Sequence, residues 1–241
     1  MSQQTSHAGL MDRVYRHQRH IYDASRKYYL LGRDPMLAGL AVPKGGTVLE
    51  IGCGTGRNLI KTGELYPDAK LFGIDISQEM LRTAGTAIVR AGMEGRARIA
   101  QADAAQFDPT KVFGRGKFDR IFISYAVSMI PSWQAVVDNA AACLSPGGEL
   151  HIVDFGDMRD LPGWTKSALY GWLNWYHVTP RANLFPVVSD VADRHGGIAE
   201  AQRLYRGFSW ISVIRIPDRQ IVPSASLVTR HQAYEPSLAL L

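Results

Sequence analysis

Three glycines and a carboxylate farther along the chain are the residues whose types and spacing could do chemistry. Gly52, Gly54 and Gly56 stand at alternate positions after an apolar run that is typical of a buried strand. Asp75 ends the next apolar run, residues 71–74. Glycines let a backbone pass close to a ligand, and a carboxylate placed there can accept hydrogen bonds from ribose hydroxyls. The pattern therefore predicts a nucleoside site at a strand-to-helix crossover.

The spacing of the glycines indicates which nucleoside fits. A dinucleotide-binding loop reads G-x-G-x-x-G, and its last glycine lets a helix N-terminus approach a pyrophosphate. Here the spacing is G-x-G-x-G, and Glu50 stands two positions before the first glycine. A carboxylate at that position would repel a diphosphate, whereas it would attract the ammonium group of an amino acid. The loop therefore favours a nucleoside with a cationic amino-acid tail, which is the chemistry of S-adenosylmethionine.

In residues 49–56 the chain resembles the first motif of the Rossmann-like S-adenosylmethionine-dependent methyltransferases. The resemblance implies that Asp75 binds ribose and that Ile76 packs on adenine. It also implies that Asp103 and the backbone of Ala104 bind the polar edge of adenine, where each group buried without a partner would cost about 1–3 kcal/mol. The predicted cofactor-binding residues are Glu50, Gly52, Cys53, Gly54, Thr55, Gly56, Asn58, Asp75, Ile76, Ser77, Met80, Asp103, Ala104 and Ser124.

Apolar runs alternate with helix-compatible segments along most of the chain, and this predicts a mostly parallel sheet covered by helices on both faces. Two later runs predict an antiparallel hairpin at the sheet edge, so we expect a Rossmann-like α/β fold with seven strands. The predicted strands cover residues 48–52, 71–74, 98–102, 118–124, 149–154, 201–208 and 210–216. The predicted helices cover residues 10–31, 58–66, 78–91, 134–143 and 188–195.

The chain divides by pattern into a helical start and a larger domain. Residues 1–40 are predicted to form a helical lid over substrate and cofactor, in which Gly32 and Pro35 end the long helix. Residues 41–241 are predicted to form the methyltransferase domain. Within that domain we expect a small aromatic cap inserted at about residues 157–187, and a tail from about residue 217.

Composition limits the classes of protein that fit. The chain of 241 residues is 46% apolar, which suits one sizeable core. Its net charge of +5 favours an anionic membrane surface or a polyanion as partner, although simple solubility is an equal alternative. No apolar stretch reaches the roughly 20 residues that span a bilayer, and no signal peptide or metal site is expected. Cys53 and Cys143 are expected to pack in the core of a cytoplasmic protein.

The N-terminal segment alternates tyrosines and arginines. Six residues at spacings of 4, 3, 4, 3 and 4 would share one face of a helix. Such a face could stack on an aromatic or cationic group and hold a phosphate or carboxylate, or it could be a solvated face whose tyrosines pack on the domain. The six residues are Tyr15, Arg19, Tyr22, Arg26, Tyr29 and Arg33.

Residues 15–23, 26–34 and 177–181 resemble the betaine-lipid N-methyltransferases, bacterial enzymes that trimethylate diacylglyceryl-homoserine. The chain resembles phosphatidylethanolamine N-methyltransferases and quinone C-methyltransferases more loosely. The resemblance implies a lipid head group at the inner face of a membrane as partner, where tryptophan and tyrosine of the cap would suit the interface, unless they pack within the cap. The predicted substrate-binding residues are Tyr15, Arg19, Arg26, Tyr29, Arg33, Trp175 and Arg181.

Methylation of an amine needs a free lone pair, so the first two transfers require a deprotonated nitrogen. His177 and His20 are the candidate bases, Tyr22 and Tyr125 are weaker ones, and water is an alternative. The aromatic rings of Tyr22, Tyr125 and Trp175 could stabilise the growing positive charge.

Two other classes of function remain open at this stage. A basic nucleic-acid binder would agree with the charge, but no compact RNA-binding module or base-pocket motif is present, so we expect no nucleic-acid partner. A nicotinamide oxidoreductase is disfavoured by the glycine spacing. The oligomeric state is not predicted.

Overall fold

The structure is a computed structural model that describes residues 30–175 and 178–218. Seven strands form one sheet in the order β3-β2-β1-β4-β5-β7-β6. Strands β1 to β5 are parallel, and β7 pairs antiparallel with both β5 and β6. The strands are β1 (Thr47–Ile51), β2 (Lys70–Asp75), β3 (Ala97–Gln101), β4 (Phe118–Ser124), β5 (Leu144–Phe155), β6 (Ile198–Leu204) and β7 (Ser209–Arg215). The predicted seven-stranded, mostly parallel fold is confirmed.

Helices cover the sheet, and two hydrophobic clusters lie between them and the strands. The central strands are continuous apolar runs because both of their faces are buried, as in β1, where all five residues are buried. The helices are α1 (Arg33–Ala38), α2 (Arg57–Leu65), α3 (Gln78–Arg90), α4 (Pro109–Phe113), α5 (Trp133–Ala142), α6 (Gly163–Trp175) and α7 (Leu184–Arg194). None of the described helices is long and apolar enough to cross a membrane.

The start of the described chain differs from the prediction. Gly32, with φ +83°, precedes helix α1, and Pro35 lies in the first turn of that helix. Proline is tolerated there because the first backbone N–H groups of a helix have no intrahelical acceptor. Gly32 and Pro35 therefore open a short helix, and residues 30 and 31 before it are not helical. The rest of the predicted long helix lies outside the described part, as do residues 1–29 of the predicted lid.

The end of the sheet also differs in detail. The hairpin begins three residues earlier than predicted, and β7 lies between β5 and β6, so β6 is the edge strand. Strand β5 begins earlier than predicted, at Leu144, because this residue already pairs with Phe118 of β4. The register then shifts, and regular pairing resumes where Arg120 is opposite Glu149. The predicted cap region contains helix α6, and the division into lid, domain, cap and tail stays a prediction.

Candidate cofactor and acceptor site

A cavity of about 480 Å³ opens at the carboxyl ends of β1, β2 and β4. This is the point where the strand order reverses direction, and ligands of open α/β sheets bind there. Twelve of the fourteen predicted cofactor-binding residues line the cavity, and only Gly56 and Ser77 do not. The twelve are Glu50, Gly52, Cys53, Gly54, Thr55, Asn58, Asp75, Ile76, Met80, Asp103, Ala104 and Ser124.

The glycine loop needs its glycines for close packing. Gly52 has φ +73°, and a Cβ there would lie 2.9 Å from Ala126 Cβ. Gly56 has φ +79°, and a Cβ there would lie 3.1 Å from Ala84 Cβ in α3. Side chains at these positions would therefore push the loop away from its neighbours. Gly56 acts from outside the cavity, by letting α3 approach the loop.

Backbone amides fix the carboxylate of Asp75. Its Oδ2 accepts a hydrogen bond from the Gly54 N–H at 2.8 Å, and its Oδ1 accepts one from the Ser77 N–H at 2.9 Å. Each carboxylate oxygen has a second lone pair that a ribose hydroxyl can use. Ser77 caps α3 by accepting from the Met80 N–H at 3.3 Å, so it positions this region without lining the cavity.

Asp103 follows β3 and also lines the cavity. Its Oδ1 accepts a hydrogen bond from the Ala105 N–H at 3.0 Å, which holds the carboxylate in the turn. Both Asp103 and Ala104 line the cavity, where the resemblance expects the adenine edge.

Glu50 is a buried carboxyl group in the cavity, with 1% of its surface exposed. Its Oε1 accepts a hydrogen bond from Asn58 Nδ2 at 2.8 Å, whereas Oε2 has no hydrogen-bond partner among the described residues. Burial raises the pKa of Glu50 to about 8. A cationic ligand group would supply the missing partner, so this oxygen fits the ammonium of an amino-acid tail.

Arg33 brings a positive charge into the same cavity, although only 6% of its surface is exposed. Its charge acts on Glu50 and lowers the pKa of that carboxyl group, an effect smaller than that of burial. A carboxylate and a guanidinium in one cavity complement the ammonium and carboxylate of an amino acid. These residues therefore fit the methionyl end of S-adenosylmethionine, and the role of Arg33 toward the acceptor stays a prediction.

Tyr125 was predicted as a weak base, and its surroundings contradict that role. Its hydroxyl donates to the Leu31 carbonyl oxygen and lies 2.8 Å from Ser209 Oγ, which itself donates to the same carbonyl at 2.9 Å. Burial raises the pKa of the phenol well above its ordinary value, so the ring does not exist as a phenolate at neutral pH. The hydroxyl instead ties the segment before α1 to the sheet.

Arg181 and Trp175 do not line the cavity. The Arg181 guanidinium donates to the carbonyl oxygens of Val127, at 3.0 Å, and Ile130, at 2.8 Å, so it is not placed to bind a substrate carboxylate. The indole of Trp175 is 76% exposed on α6, and the predicted aromatic lining from this residue is wrong for the described cavity. The remaining candidates lie outside the described residues: Tyr15, Arg19, His20, Tyr22, Arg26, Tyr29 and His177.

Several lining residues were not predicted. One of them is Arg57, which begins α2 and pairs with Asp34. Its position directly after the last glycine is the one feature of the sequence that indicates a place in the cavity. The others are mainly apolar and carry no chemical signal of their own. They include Leu30, Ile74, Ala102, Ala126, Ile130 and Pro131.

Comparisons with known proteins agree with this geometry. Residues 48–148 match the family model described as a methyltransferase domain. Over 112 residues the chain is 36% identical to a phosphatidylethanolamine N-methyltransferase of Cereibacter sphaeroides, a match that covers 46% of this chain and 51% of that protein. Over 143 residues it is 25% identical to a demethylmenaquinone methyltransferase of Listeria monocytogenes, covering 59% and 58% of the two chains. The chain thus spans only about half the length of these relatives.

The fold is also found in a solved structure with the cofactor bound. Phosphoethanolamine N-methyltransferase 2 of Haemonchus contortus, in complex with S-adenosyl-L-methionine, superposes with a TM-score of 0.63 at 15% identity, over 78% of this chain and 52% of that one. At this identity the likeness shows the fold alone. Together with the matched family and the cavity, it means that residues 48–148 form a methyltransferase domain of the S-adenosylmethionine-dependent, Rossmann-like type.

Proposed function

We propose that the protein is an S-adenosylmethionine-dependent N-methyltransferase that acts on the head-group amine of diacylglyceryl-homoserine, a membrane lipid. The observation that carries the proposal is the mixed lining of the cavity. The carboxylates of the cofactor residues line it together with the apolar side chains of Leu30, Met129, Ile130 and Pro131. Apolar surroundings disfavour an ammonium ion and so favour the neutral amine that can react.

The residues of the cavity mainly orient the reactants and exclude water. The cofactor, when bound, supplies a methyl group on a sulfonium that needs no further activation. Glu50 would bind the methionyl end of the cofactor, and Asp75 and Asp103 would bind its adenosyl end. The apolar residues of the lining would hold the amine in line with the methyl group. Alignment of this kind can account for much of the rate of a displacement reaction.

The choice of acceptor lipid rests on the resemblance to the betaine-lipid N-methyltransferases. Diacylglyceryl-homoserine carries one amine and one carboxylate, and the resemblance of residues 15–34 and 177–181 supports it. The 36% identity to a phosphatidylethanolamine N-methyltransferase supports phosphatidylethanolamine as a second candidate. That lipid has the same reactive amine and a phosphate instead of the carboxylate.

A vesicle assay tests both candidates. Vesicles that contain either diacylglyceryl-homoserine or phosphatidylethanolamine are incubated with the protein and methyl-labelled cofactor, and the lipids are separated. We expect label in mono-, di- and trimethylated diacylglyceryl-homoserine. Label only in phosphatidylethanolamine would move the proposal to the second lipid, and label in neither would reject a lipid amine.

His177 is the first candidate for the base. It lies outside the described residues, but its neighbour Val178 is buried, and Thr179 N–H donates to the Ser128 carbonyl at 3.0 Å beside the cavity. We expect His177→Ala to lower turnover while leaving binding of S-adenosylhomocysteine within about twofold. His195, which pairs with Asp138 on α5, offers the matched control His195→Ala. Equal turnover in both variants would remove His177 from the mechanism.

We also propose that helix α6 rests on the membrane surface. Trp164 and Trp175 are 77% and 76% exposed on this helix, and tryptophan favours the bilayer interface. The double variant Trp164→Ala/Trp175→Ala should bind anionic vesicles several-fold more weakly in a sedimentation assay. Val89→Ala, which shortens an exposed apolar side chain on α3, is the control. Unchanged vesicle binding in the double variant would contradict this orientation.

A further inference from the structure

The loop that follows β4, residues 125–132, contributes several apolar residues to the lining of the cavity. Ala126, Met129, Ile130, Pro131 and Ser132 all line the cavity from this post-β4 loop. A displacement reaction depends on the position of the acceptor to within about 1 Å, and misplacement on that scale can cost a hundredfold in rate. What holds the loop in place therefore bears on the reaction.

Arg181, which does not line the cavity, binds backbone carbonyl groups of the post-β4 loop. Its Nε donates to the Val127 carbonyl at 3.0 Å, and its Nη2 donates to the Ile130 carbonyl at 2.8 Å and lies 3.5 Å from the Ser128 carbonyl. The guanidinium also lies over the Trp133 ring, 5.9 Å from its centroid, where α5 begins. One side chain thus lies against three backbone carbonyl oxygens of the loop and the first residue of α5.

Two further contacts hold the same loop. The Thr179 N–H donates to the Ser128 carbonyl at 3.0 Å, and the Ser128 N–H donates to Asp154 Oδ2 at 3.1 Å. Asp154 is buried at the end of β5, and its other oxygen accepts from the Phe155 N–H at 2.8 Å. The amide of Ser128 is thereby fixed to the sheet, while its carbonyl is fixed to the segment that carries Arg181.

The segment that carries Arg181 is itself anchored in the core. Val178 is buried, and its N–H donates to the Leu173 carbonyl in α6 at 3.0 Å. After Arg181, the Leu184 N–H donates back to the Arg181 carbonyl at 3.0 Å as α7 begins. Because the backbone is anchored on both sides of Arg181, its guanidinium can restrain the loop and does not move with it.

Only arginine suits this place chemically. Its planar guanidinium presents five N–H donors in a fixed fork, which can serve several carbonyl oxygens at once, whereas lysine offers a single ammonium on a flexible stem. We infer that Arg181 is a positioning residue for methyl transfer: it holds the post-β4 loop so that the apolar residues of this loop present the acceptor to the cofactor. The inference rests on the proposed methyl transfer, but on no particular acceptor lipid.

The test compares Arg181→Met, Arg181→Lys and Arg181→Ala with the matched control Arg203→Met. Arg203 also lies over aromatic rings, those of Phe185 and Trp210, and it pairs with Asp157; among the described residues it makes no hydrogen bond or ion pair with the post-β4 loop. Turnover is measured on the lipid that the unaltered protein methylates, and binding of S-adenosylhomocysteine is measured by calorimetry. We expect all three Arg181 variants to lose about tenfold or more in kcat/KM, mostly in kcat, with cofactor-product binding within about threefold.

Chemical rescue separates positioning from a general loss of structure. Free guanidinium at low concentration should restore part of the turnover of Arg181→Ala, because the missing fork can reoccupy the space beside the three carbonyls. It should not change the turnover of Arg203→Met. Wild-type kcat/KM in Arg181→Met, an equal loss in Arg203→Met, or a lack of rescue would each overturn the inference.

A second measurement does not depend on any substrate. Hydrogen exchange of a peptide that covers residues 124–133 should be faster in Arg181→Met than in the unaltered protein, and unchanged in Arg203→Met. If the unaltered protein methylates no lipid while this exchange difference is present, the proposed function fails and the role of Arg181 in holding the loop stands. Unchanged exchange in Arg181→Met would overturn that role by itself.

Discussion

The two loops that follow β1 and β4 both line the cavity, but they are held in different ways. In the glycine loop after β1, the N–H groups of Gly52 and Cys53 donate to the Ile74 carbonyl and that of Gly54 donates to Asp75, so both acceptor residues lie on the neighbouring strand β2. The post-β4 loop is held by side chains from Asp154, 26 residues away from its partner, and from Arg181, 51 to 54 residues away. The glycine loop is thus held mostly by backbone groups of the neighbouring strand, whereas the post-β4 loop is held by the side chains of Asp154 and Arg181.

The largest effect expected from breaking the first loop comes from Asp75→Ala. The substitution removes the partners of two backbone N–H groups together with the expected ribose contacts. Binding of S-adenosylhomocysteine should weaken at least tenfold, or about 1.4 kcal/mol, as measured by calorimetry.

Asp108→Ala is the matched control for this experiment. Asp108 also accepts from two backbone N–H groups, those of Thr110 and Lys111, but at the start of α4, and it does not line the cavity. Affinity that is unchanged in Asp75→Ala, or equally reduced in both variants, would mean that the crossover does not bind the nucleoside.

An intermediate effect is expected from pH, through Glu50. Because burial raises its pKa from 4.5 to about 8, the folded protein without ligand keeps a proton on Glu50 that the unfolded chain has lost. Stability should therefore fall as pH rises from about 4.5 to about 8. A ligand ammonium favours the ionised carboxylate, so binding should release a proton and affinity should rise over the same range.

Glu50→Gln sharpens this prediction because the amide has nearly the shape of the protonated acid. The variant should lose both pH dependences, bind S-adenosylhomocysteine more weakly at pH 8, and melt at a higher temperature than the unaltered protein at that pH. Melting curves and calorimetry in two buffers of different ionisation enthalpy measure these quantities. A pH dependence that persists in Glu50→Gln would assign it to another group.

The smallest effect is expected from Tyr125→Phe, at the start of the post-β4 loop. Loss of the hydrogen bond to Leu31 should reduce the free energy of unfolding by about 1 kcal/mol, and turnover should stay within about threefold, with an unchanged pH profile. Ser209→Ala, which removes the other hydroxyl at the same carbonyl, should behave alike. A hundredfold loss of turnover in Tyr125→Phe alone would restore the phenol as the base.

The same contrast explains which parts of the fold and of the site could be predicted from the sequence. The parallel strands β1 to β4 lie within a residue or two of their predicted bounds, because burial on both faces makes them continuous apolar runs. The glycine loop and Asp75 could be predicted because this part of the cavity lining comes from one short stretch of chain. Helix α4 was missed because five residues are too few for a periodic pattern, although Asp108 and Pro109 form a recognisable start.

The roles of Arg181 and Tyr125 could not be predicted for a different reason. An arginine that binds a substrate carboxylate and one that binds backbone carbonyls look the same in a sequence. Which of the two occurs depends on the folding of residues 178–181 against the post-β4 loop, a contact between parts of the chain more than 50 residues apart. Likewise, the Tyr125 hydroxyl is engaged by the Leu31 carbonyl and by Ser209, which lie 94 and 84 residues away in the chain.

The place of β7 inside the sheet has a consequence for synthesis. Seven successive residues of β5, from Glu149 to Phe155, pair with β7, which is the last of the described strands to leave the ribosome. Until it emerges, a nascent chain carries β5 as a bare edge with unsatisfied amides and carbonyls, the kind of edge that recruits other strands and aggregates. Ser209 of β7 also donates to the Leu31 carbonyl. Because β7 is synthesised late, both its pairing with β5 and the docking of the segment before α1 must wait for it.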